Sequence, residues 1–587
     1  MKRNEINTEL TWDLSHLFRN QQAFISCWET TKLQLQTVSA CKGHITDTKE
    51  TFCKFFQDYE ELLRHVEKLT VYASMCADVD PNDAIVQENL SKSQSLMDEQ
   101  SASLCFIENE IIAHKSLIES YLKDEECKDY RYFISEIFRT IPHRLDDQGE
   151  KLLAEVSILA KNPEDTFKSF QLSFEPVMVD GKEEFLNDAT YQSFLHNKDQ
   201  RVRKEAFEHY MKEYQNYQNV FMNTLSGHAK GQVLQAHARH FDNALQASLF
   251  EDGVKEHLFH KVLYMANEKY HSYVEDYFSL RKQLLHLDTQ HVYDIQVNLV
   301  EALDVHYTIE ECFSIMDQAL APLGEDYVAL LHKAKNERWI DFMPCEGKRQ
   351  GAYSWGTYDS RPYIMTNFNG DYDSLSTLAH ELGHSMHSYF SWNNNRYLNS
   401  GYRIFVAEVA STVNEILLND YLVKTSTDDS YRAYLLNSLL TQLIGTLYRQ
   451  PMYAQFEADL HTWVENKEAI SSQKITQHYL DLNKAYFGPG VEVDDLHGYG
   501  CYHIPHFYYN FYVYKYTLGM SVALSFAKRI LQGDVEAYRN FLTKGGSESP
   551  MDELLHAGVD PRDDKVYDDA FSYFKEILDQ FEDLMRH

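Results

Sequence analysis

The scarcity of Gly and Pro is the feature that most limits what this chain can fold into. Only 23 of its 587 residues are Gly and 12 are Pro, whereas average usage is about 7% and 5%. Because these residues mark turns and helix ends, their scarcity favours long uninterrupted helices. Apolar residues recur at helical spacing from about residue 20 to 170, from 195 to 340, and from 373 to the end. The sequence therefore predicts a mostly α fold.

Two short stretches depart from the helical pattern. Asp180-Gly181 lies between short runs rich in Val and Phe, which predicts a β-hairpin near 172–186. Residues 345–371 hold one strand candidate, Tyr363 to Phe368; Pro362 at its start cannot donate to a ladder, which suits an edge strand. We place a domain boundary just after the hairpin. It divides the chain into a helical N-terminal region, 1–190, and a helical domain, 191–587, that carries the motifs described below.

Composition and charge exclude several classes of protein. With 44% hydrophobic and 13% aromatic residues, the chain has too much to bury to be disordered. Its 55 basic against 89 acidic residues give a net charge of -34, which argues against nucleic acid and anionic membranes as partners. A soluble surface explains this charge; a field that attracts cationic ligands is the alternative.

The N-terminus and the cysteines predict a cytoplasmic protein. MKRNEINTELTWDLSHLF contains two basic residues but not the apolar run of a secretory signal. No stretch approaches the roughly 18 apolar residues that a membrane span requires. The nine cysteines are scattered without a CxxC pair, so neither a disulfide framework nor a thiolate metal site is indicated.

A metal-binding pattern lies in DSLSTLAHELGHSMHSYF, residues 373–390. Asp373 or Ser374 is expected to cap the helix. His380 and His384 are neighbours on the face that avoids the helix's apolar seam, where an i, i+4 pair can bind one metal ion. Glu381 is rotated about 100° from the first ligand, so it is placed to act on a water molecule as general base rather than on the ion. HExxH alone occurs by chance in about one chain in ten of this length, and two solvated surface histidines are the alternative.

A third ligand is needed, since a catalytic zinc ion takes three protein ligands and an open position. The metzincin pattern HExxHxxGxxH is excluded, because this chain has His387 and Phe390 where that pattern has Gly and His. In IFVAEVASTVNEILLNDYL, Glu408 lies among apolar residues, so burying its carboxylate unpaired would be costly. A metal ion would be its partner.

Two more residues are candidates for the surroundings of the metal. Glu415 lies two turns after Glu408 on the same face and could accept the free N–H of a ligand histidine. A solvated or cap-related glutamate is the alternative. His387 shares the metal face with His380 and His384. We interpret it as a group that supports the metal ligands or faces the substrate rather than as a fourth ligand, because a closed site would leave no room for water.

The segment GYGCYHIPHFYYNFYVYKYTLG, residues 498–519, contains seven tyrosines and two histidines. Pro505 suits the first turn of a helix, on which Tyr508, Tyr512 and Tyr516 would form one stripe. Core packing is the alternative for most of these rings. A polar minority could stabilise a tetrahedral oxyanion, because phenol and imidazole groups donate hydrogen bonds. The candidates are His503, His506, Tyr508, Tyr509, Tyr512, Tyr514 and Tyr516.

Taken together, these segments resemble the oligoendopeptidase F group of the thimet-oligopeptidase-like zinc metallopeptidases. The resemblance spans almost the whole chain and is far more specific than HExxH alone. It rests on TWDLSHLF, GAYSWG, PYIMTNF, TLAHELGHSMH, FVAEVAST, IPHFYYNFYVYKYTLG and LTKGGSESPMDELLHAGVD.

The resemblance implies a fold and a set of roles. The fold would be two helical halves that enclose a deep substrate channel, with a small β-sheet beside the zinc site, and Tyr363 to Phe368 would be the strand that pairs with the substrate backbone. One Zn²⁺ per chain would be held by His380, His384 and Glu408, with Glu381 as base. His506 and Tyr512 resemble the family's histidine and tyrosine in the substrate-binding segment. His503 with Tyr508 or Tyr512 is the alternative match to that histidine and tyrosine, because its spacing is plausible as well.

The expected function is a zinc-dependent endopeptidase that hydrolyses internal bonds of short unstructured oligopeptides. An enzyme that trims ends, a dipeptidyl carboxypeptidase or a carboxypeptidase, is the nearest alternative. A catalytically silent peptide-binding clamp is disfavoured, because HExxH and Glu408 are all intact and a clamp has no need of them.

Overall fold

A computed structural model describes residues 2–301, 303 and 305–586. Helices make up most of this part of the chain, which confirms the mostly α prediction. The chain forms two compact units, each built from three segments. Unit 1 comprises Met1–Ile141, Asp304–Tyr421 and Phe526–Val559, and unit 2 comprises Pro142–Leu303, Leu422–Ser525 and Asp560–His587.

The helices follow one another in chain order. The first segment of unit 1 contains α1 (Gln21–Ser39), α2 (Lys49–Val79), α3 (Ala84–Leu104), α4 (Phe106–Ala113), α5 (Lys115–Tyr121) and α6 (Arg131–Arg139). Unit 2 then contains α7 (Asp147–Ala160), α8 (Asn162–Ser169), α9 (Asp188–Leu195), α10 (Gln200–Asn216), α11 (Gln218–Ala238), α12 (Ala244–Phe250), α13 (Glu256–Tyr264) and α14 (His271–Leu284).

The second half of the chain returns to each unit in turn. Unit 1 continues with α15 (Ile309–Ala319), α16 (Glu325–Asn336), α17 (Tyr372–Asn394) and most of α18 (Ile404–Thr425). Unit 2 continues with α19 (Asp429–Leu443), α20 (Gln450–Glu465), α21 (Ser472–Phe487) and the first part of α22 (Tyr514–Leu531). The last helices are α23 (Glu536–Lys544) and α24 (Pro550–His556) in unit 1 and α25 (Asp564–Arg586) in unit 2.

The longest helix, α2, shows why so much of unit 1 is helical. Thr48 caps it by accepting a hydrogen bond from the Thr51 N–H. Phe52, Phe56 and other apolar residues at helical spacing are buried on one face, which packs against α1 and α3. The polar residues lie on the opposite face, so the helix is stabilised by burial rather than by propensity alone.

Unit 1 also contains a three-stranded sheet of β3 (Ile340–Asp341), β4 (Tyr353–Trp355) and β5 (Tyr363–Met365). The order is β3-β5-β4, with β5 parallel to β3 and antiparallel to β4. The prediction that β5 is an edge strand was therefore wrong. Pro362 precedes the first paired N–H, so the ladder loses no donor and β5 occupies the centre. β4 is the edge strand on the side toward α17.

Unit 2 contains a two-stranded hairpin of β1 (Val177–Val179) and β2 (Lys182–Glu184). Asp180 and Gly181 between them both have positive φ, 50° and 78°, as a type I′ turn requires. The predicted domain boundary after residue 190 separates a catalytic domain from the region before it, and this division stays a prediction. The substrate channel stays a prediction too.

No helix among the described residues combines the length and the apolar character needed to cross a membrane.

Candidate metal centre

The cap of the helix that carries HExxH lies two residues before Asp373, the earlier of the two expected caps. α17 starts at Tyr372, and Asp371 caps it by accepting a hydrogen bond from the Ser374 N–H at 2.8 Å. The predicted caps Asp373 and Ser374 lie inside the first turn instead. Asn369-Gly370-Asp371 turns the chain there, with Gly370 at φ 89°. His380 and His384 follow two turns further on and are one turn apart.

A close approach of α17 and α18 brings the carboxylates of α18 to these histidines. A Cβ on Gly383 would lie 2.6 Å from the Cα of Ser411 and 2.8 Å from the carbonyl oxygen of Ala410. Only Gly permits such contact between two helix backbones. Beside it, Asn414 donates to the Ala379 carbonyl at 3.0 Å and accepts from the Tyr327 hydroxyl at 2.9 Å. These contacts fix the rotation of α18, which carries Glu408 and Glu415.

Three ligand atoms converge on one point. The Nε2 atoms of His380 and His384 are 3.1 Å apart, and Glu408 Oε2 lies 3.6 Å and 3.8 Å from them. Around a tetrahedral zinc ion with bonds of about 2.05 Å, neighbouring ligand atoms would be about 3.3 Å apart. Among the residues that the structure describes, this is the one group of three or more His, Cys, Asp or Glu side chains placed to hold a metal ion.

Glu408 is less buried than the sequence suggested. Its side chain keeps 44% of its exposure, whereas Val409 and Val413 are fully buried. The apolar side chains of α18 point into the core of unit 1, and Glu408 projects from the adjoining face. Its carboxylate is therefore accessible to solvent and to a metal ion. The cost of burying an unpaired carboxylate, on which the sequence prediction of Glu408 as a ligand rested, does not apply here.

The outer nitrogens of both histidines are held in place. Glu415 accepts a hydrogen bond from Nδ1 of His380, and the His384 ring is hydrogen-bonded to the backbone of Ala407. Such contacts orient a ligand ring and fix which nitrogen faces the metal. Burial opposes a charge on either ring. Beside Glu415 the pKa of His380 is nevertheless raised, whereas burial and the neighbouring His380 lower the pKa of His384.

Glu381 is buried next to the three ligand atoms. Only 6% of it is exposed, and its Oε2 has no hydrogen-bond partner among the described residues. Burial raises its pKa to about 7, with a smaller opposing effect from His380 and the Ser354 N–H. A carboxylate oxygen that is buried and unpartnered beside a metal-ligand triad is suited to bind water and to exchange a proton with it near neutral pH.

His387 lies one turn beyond His384, but inside the core of unit 1. Its ring is 1% exposed and stacks on Tyr402 with 3.8 Å between ring centroids. Phe541 packs on it at 5.1 Å, and Nδ1 has no hydrogen-bond partner in the described structure. Burial and the nearby His384 lower its pKa to about 3, so the ring is neutral.

The edge strand β4 lies beside Glu381. Ile364, opposite Ser354, donates its N–H to Trp339 on the far side of β5. Since antiparallel pairs alternate, the N–H and C=O of Ser354 point away from β5; the N–H is hydrogen-bonded to Glu381, and the C=O faces the open edge. Trp355 is 40% exposed, whereas Tyr363 on β5 is fully buried and donates to the Asp13 carbonyl. An extended peptide can add to β4 but not to β5.

The histidine and tyrosine segment of unit 2 is not the predicted helix. Pro505–Tyr508 forms one 3-10 turn, Asn510 and Phe511 have positive φ of 51° and 56°, and α22 begins only at Tyr514. The stripe of Tyr508, Tyr512 and Tyr516 therefore does not exist as a helical face. Glu457, buried in α20, accepts from the Phe511 N–H at 2.6 Å and holds this irregular turn.

Exposure separates the candidate residues of this segment. Tyr508 is buried, stacks on Phe167 and shares a hydrogen bond of 2.8 Å with Thr224. His503 packs against Tyr210 and Tyr214. His506, Tyr509, Tyr512 and Tyr516 are at least partly exposed, and their rings contact one another in a chain of pairs 5.4–6.2 Å apart. His503 is partly exposed as well, so burial disfavours only the pairing of His503 with Tyr508, and the choice between His503 and His506 stays a prediction.

Sequence reasoning missed the residues that join the helices. Asn414 and Gly383 position the ligands without touching a metal, and Ser354 presents its backbone at the edge of the sheet. Gly383 carried a usable signal, since Gly in mid-helix costs stability and needs a packing reason. Asn414 carried none, because a polar residue inside a helical pattern is ordinarily assigned to the surface.

The fold and the site define a class: a mostly helical metallopeptidase whose HExxH helix packs against a second helix that supplies a glutamate ligand. Comparison with known families extends this. Residues 193–573 match the model of peptidase family M3, and residues 113–173 match that of oligopeptidase F. The chain belongs to peptidase family M3, in the oligoendopeptidase F group.

Individual relatives agree over the whole chain. The chain is 34% identical to oligopeptidase PepF of Bacillus subtilis, covering 99% of this chain and 88% of the relative. It is 33% identical to group B oligopeptidase PepB of Streptococcus agalactiae, covering 99% and 98%. The crystal structure of oligoendopeptidase-F from Enterococcus faecium is similar with a TM-score of 0.73 at 29% identity, covering 96% and 99%.

Proposed function

We propose that this chain is a zinc-dependent endopeptidase that hydrolyses internal bonds of short unstructured oligopeptides, with one zinc ion held by His380, His384 and Glu408. The observation that carries this proposal is the triangle of three ligand atoms with the buried, unpartnered Glu381 Oε2 beside it. An ion pair or a structural cluster has no need of that fourth group.

The residues divide the chemistry among them. A zinc ion held there would act as a Lewis acid on the scissile carbonyl and lower the pKa of water from 15.7 toward about 7. Glu381 takes the proton from the attacking water and passes it to the leaving amine. Glu415 holds the His380 ring in the orientation that directs Nε2 to the metal.

The substrate backbone is proposed to pair with β4. Its outward C=O at Ser354 offers a main-chain hydrogen bond to an extended peptide, which supports binding by strand addition. This mode requires an unfolded segment and so selects short unstructured peptides. It replaces Tyr363 to Phe368 as the strand that receives the substrate, because β5 within that segment is paired on both sides.

His506 and Tyr512 are proposed to donate hydrogen bonds to the tetrahedral oxyanion. Their partial exposure supports this role, and the positive φ of Asn510 and Phe511 marks a backbone held in an unusual shape between them. Burial lowers the pKa of His506, so the ring donates as a neutral imidazole.

We propose a cytoplasmic location, oligopeptides as the partners, and neither nucleic acid nor membranes as partners. The net charge of -34 supports the exclusion of polyanions. The nine cysteines are free thiols in the described structure, which suits a reducing compartment.

The test is Glu381→Gln, assayed on an internally quenched peptide. The amide keeps the size of the side chain but cannot accept the proton, so zinc should stay bound while turnover falls by at least about 100-fold, the contribution of a general base. Glu346→Gln, an exposed glutamate of the same unit, is the matched control. Full turnover in Glu381→Gln would reject the proposed base.

Endopeptidase and end-trimming activities are separated by a peptide blocked at both termini. An endopeptidase cleaves it, and mass spectrometry should find internal fragments. A dipeptidyl carboxypeptidase or carboxypeptidase needs a free terminus and would leave the blocked peptide intact.

A further inference from the structure

Unit 2 contains a cavity with a cation and no acid in its wall. Its volume is about 110 Å³, of the order of the roughly 150 Å³ engineered cavity that binds benzene. The wall combines aromatic and apolar side chains with Arg449, His497, His503, Asn483 and Gln296. None of the lining residues that the structure describes is Asp or Glu. The wall therefore has a positive charge and no carboxylate, although the chain as a whole has a net charge of -34.

Arg449 is the cation. No carboxylate forms an ion pair with it among the described residues; burial opposes its charge, and the nearby phenols of Tyr486, Tyr453 and Tyr479 raise its pKa. Buried Arg203 and Lys348 each lie 2.7 Å from a carboxylate, that of Asp294 and of Asp341, and buried Arg281 is held instead by backbone carbonyls of Asp294 and Val297. Arg449 is partly exposed. A desolvated charge without a counterion is costly, so an anion in the cavity would relieve that cost.

Further polar atoms in the wall lack partners. Nδ1 of His497 and of His503 has no hydrogen-bond partner in the described chain, and the Tyr486 hydroxyl interacts with the guanidinium of Arg449. Burial lowers the pKa of His497 to about 3 and of His503 to about 4, so both rings are neutral. The wall therefore offers a single positive charge and a phenol donor, which matches a monovalent anion better than a divalent one.

The local backbone is built to place Arg449. It is the last residue of a π-helical segment, Ile444–Arg449, between α19 and α20. Such segments are rare, cost helix stability, and occur frequently at functional sites. The planar guanidinium pairs with a carboxylate through two parallel hydrogen bonds.

We propose that this cavity is a binding site for a small organic carboxylate, with the guanidinium of Arg449 and the hydroxyl of Tyr486 as its donors and the aromatic wall around its carbon atoms. A free short-chain acid and the C-terminal carboxylate of a dipeptide share this chemistry. His503 lies in the wall and is followed directly by the turn Pro505–Tyr508, so the ligand would contact the segment that leads to His506.

The experiment measures the thermal midpoint of the full-length protein against acetate concentration, at constant ionic strength set by a bulky sulfonate. A ligand that binds the folded chain raises the midpoint in a saturable way. We expect saturation with acetate and no effect of acetamide, its uncharged counterpart. Glycylglycine against its C-terminal amide then distinguishes a dipeptide from a free acid as the source.

Variants assign the effect to this cavity. Arg449→Gln should abolish the saturable shift, whereas Arg201→Gln, at a side chain that is 91% exposed, should keep it. If Arg449→Gln does not fold, Tyr486→Phe should weaken apparent acetate affinity several-fold. Phosphate saturating where acetate does not, an unchanged shift in these variants, or no saturable acetate effect in the wild type would each overturn the proposal. The readout is binding, so it does not depend on peptidase activity.

Discussion

At the scale of single residues, the metal centre depends on side chains that hold the ligands as much as on the ligands. HExxH predicted His380, His384 and Glu381 because i, i+4 spacing fixes a helical face whatever the fold around it. Glu408 was identified on the expectation of burial, yet its side chain is 44% exposed. Tertiary packing decides which way a residue on an apolar helix points, and a single sequence does not reveal it.

Glu415→Gln should weaken metal binding by about 10- to 100-fold, the usual effect of losing a contact that orients a ligand. The amide can still accept from His380 Nδ1, but without the charge that raises the basicity of the ring. Competition with a chromogenic chelator measures the affinity, with Glu346→Gln as the matched control. Equal affinities in the two variants would show that Glu415 has no influence on the metal.

Gly383→Ala should destabilise the protein by about 1–3 kcal/mol, the cost of overpacking a tight contact. The new methyl group meets the backbone of α18 at Ser411 and Ala410, which cannot move aside as a flexible side chain would. Urea unfolding checks this. Gly401→Ala, where a Cβ meets nothing within 4 Å, is the control. A Gly383→Ala protein as stable as this control would contradict the close approach of α17 and α18.

At the scale of elements, the sequence predicted which segments are helices better than it predicted where each element begins and ends. Periodicity identified the helices, because long apolar stripes are unambiguous. The prediction of one helix from Pro505 to Tyr516 was wrong. The spacing of its residues fits a helix, but the chain turns at Asn510 and Phe511 with positive φ. There Glu457 supplies the acceptor that the Phe511 N–H would otherwise lack. That partner is 54 residues away, beyond the reach of any local pattern.

The order of the three-stranded sheet makes a prediction about substrate binding. Trp355→Ala, on the exposed edge strand β4, should raise KM several-fold while the thermal midpoint changes little. Tyr363→Phe, on the central strand β5, should lower stability by about 1 kcal/mol through loss of its hydrogen bond and leave KM unchanged. Steady-state kinetics and melting of both variants are the measurement. The reverse pattern would place the substrate on β5.

At the scale of the whole molecule, buried carboxyl groups predict that stability falls as the pH rises. Burial raises the pKa of Glu457 from its ordinary 4.5 to about 8 and that of Glu67 to about 7. Between pH 4.5 and 8 the folded chain keeps protons that the unfolded chain has released, so the free energy of unfolding decreases across this window.

The urea midpoint should therefore fall from pH 5.5 to pH 8, and Glu457→Gln should reduce that fall, because its amide does not titrate. Glu536→Gln, at an exposed position of α23, is the control. A midpoint that rises over this range, or an identical pH dependence in wild type and Glu457→Gln, would contradict the burial of Glu457 as an ionisable group.

The central claim is that His380, His384 and Glu408 hold the metal ion on which peptide hydrolysis depends. The most direct measurement combines zinc content per chain, from elemental analysis, with turnover of an internally quenched peptide, before and after chelation and in His384→Ala. We predict one zinc per chain, loss of metal and activity together on chelation, recovery of both on adding zinc, and neither in His384→Ala. Full turnover by protein that contains no stoichiometric metal would contradict the claim.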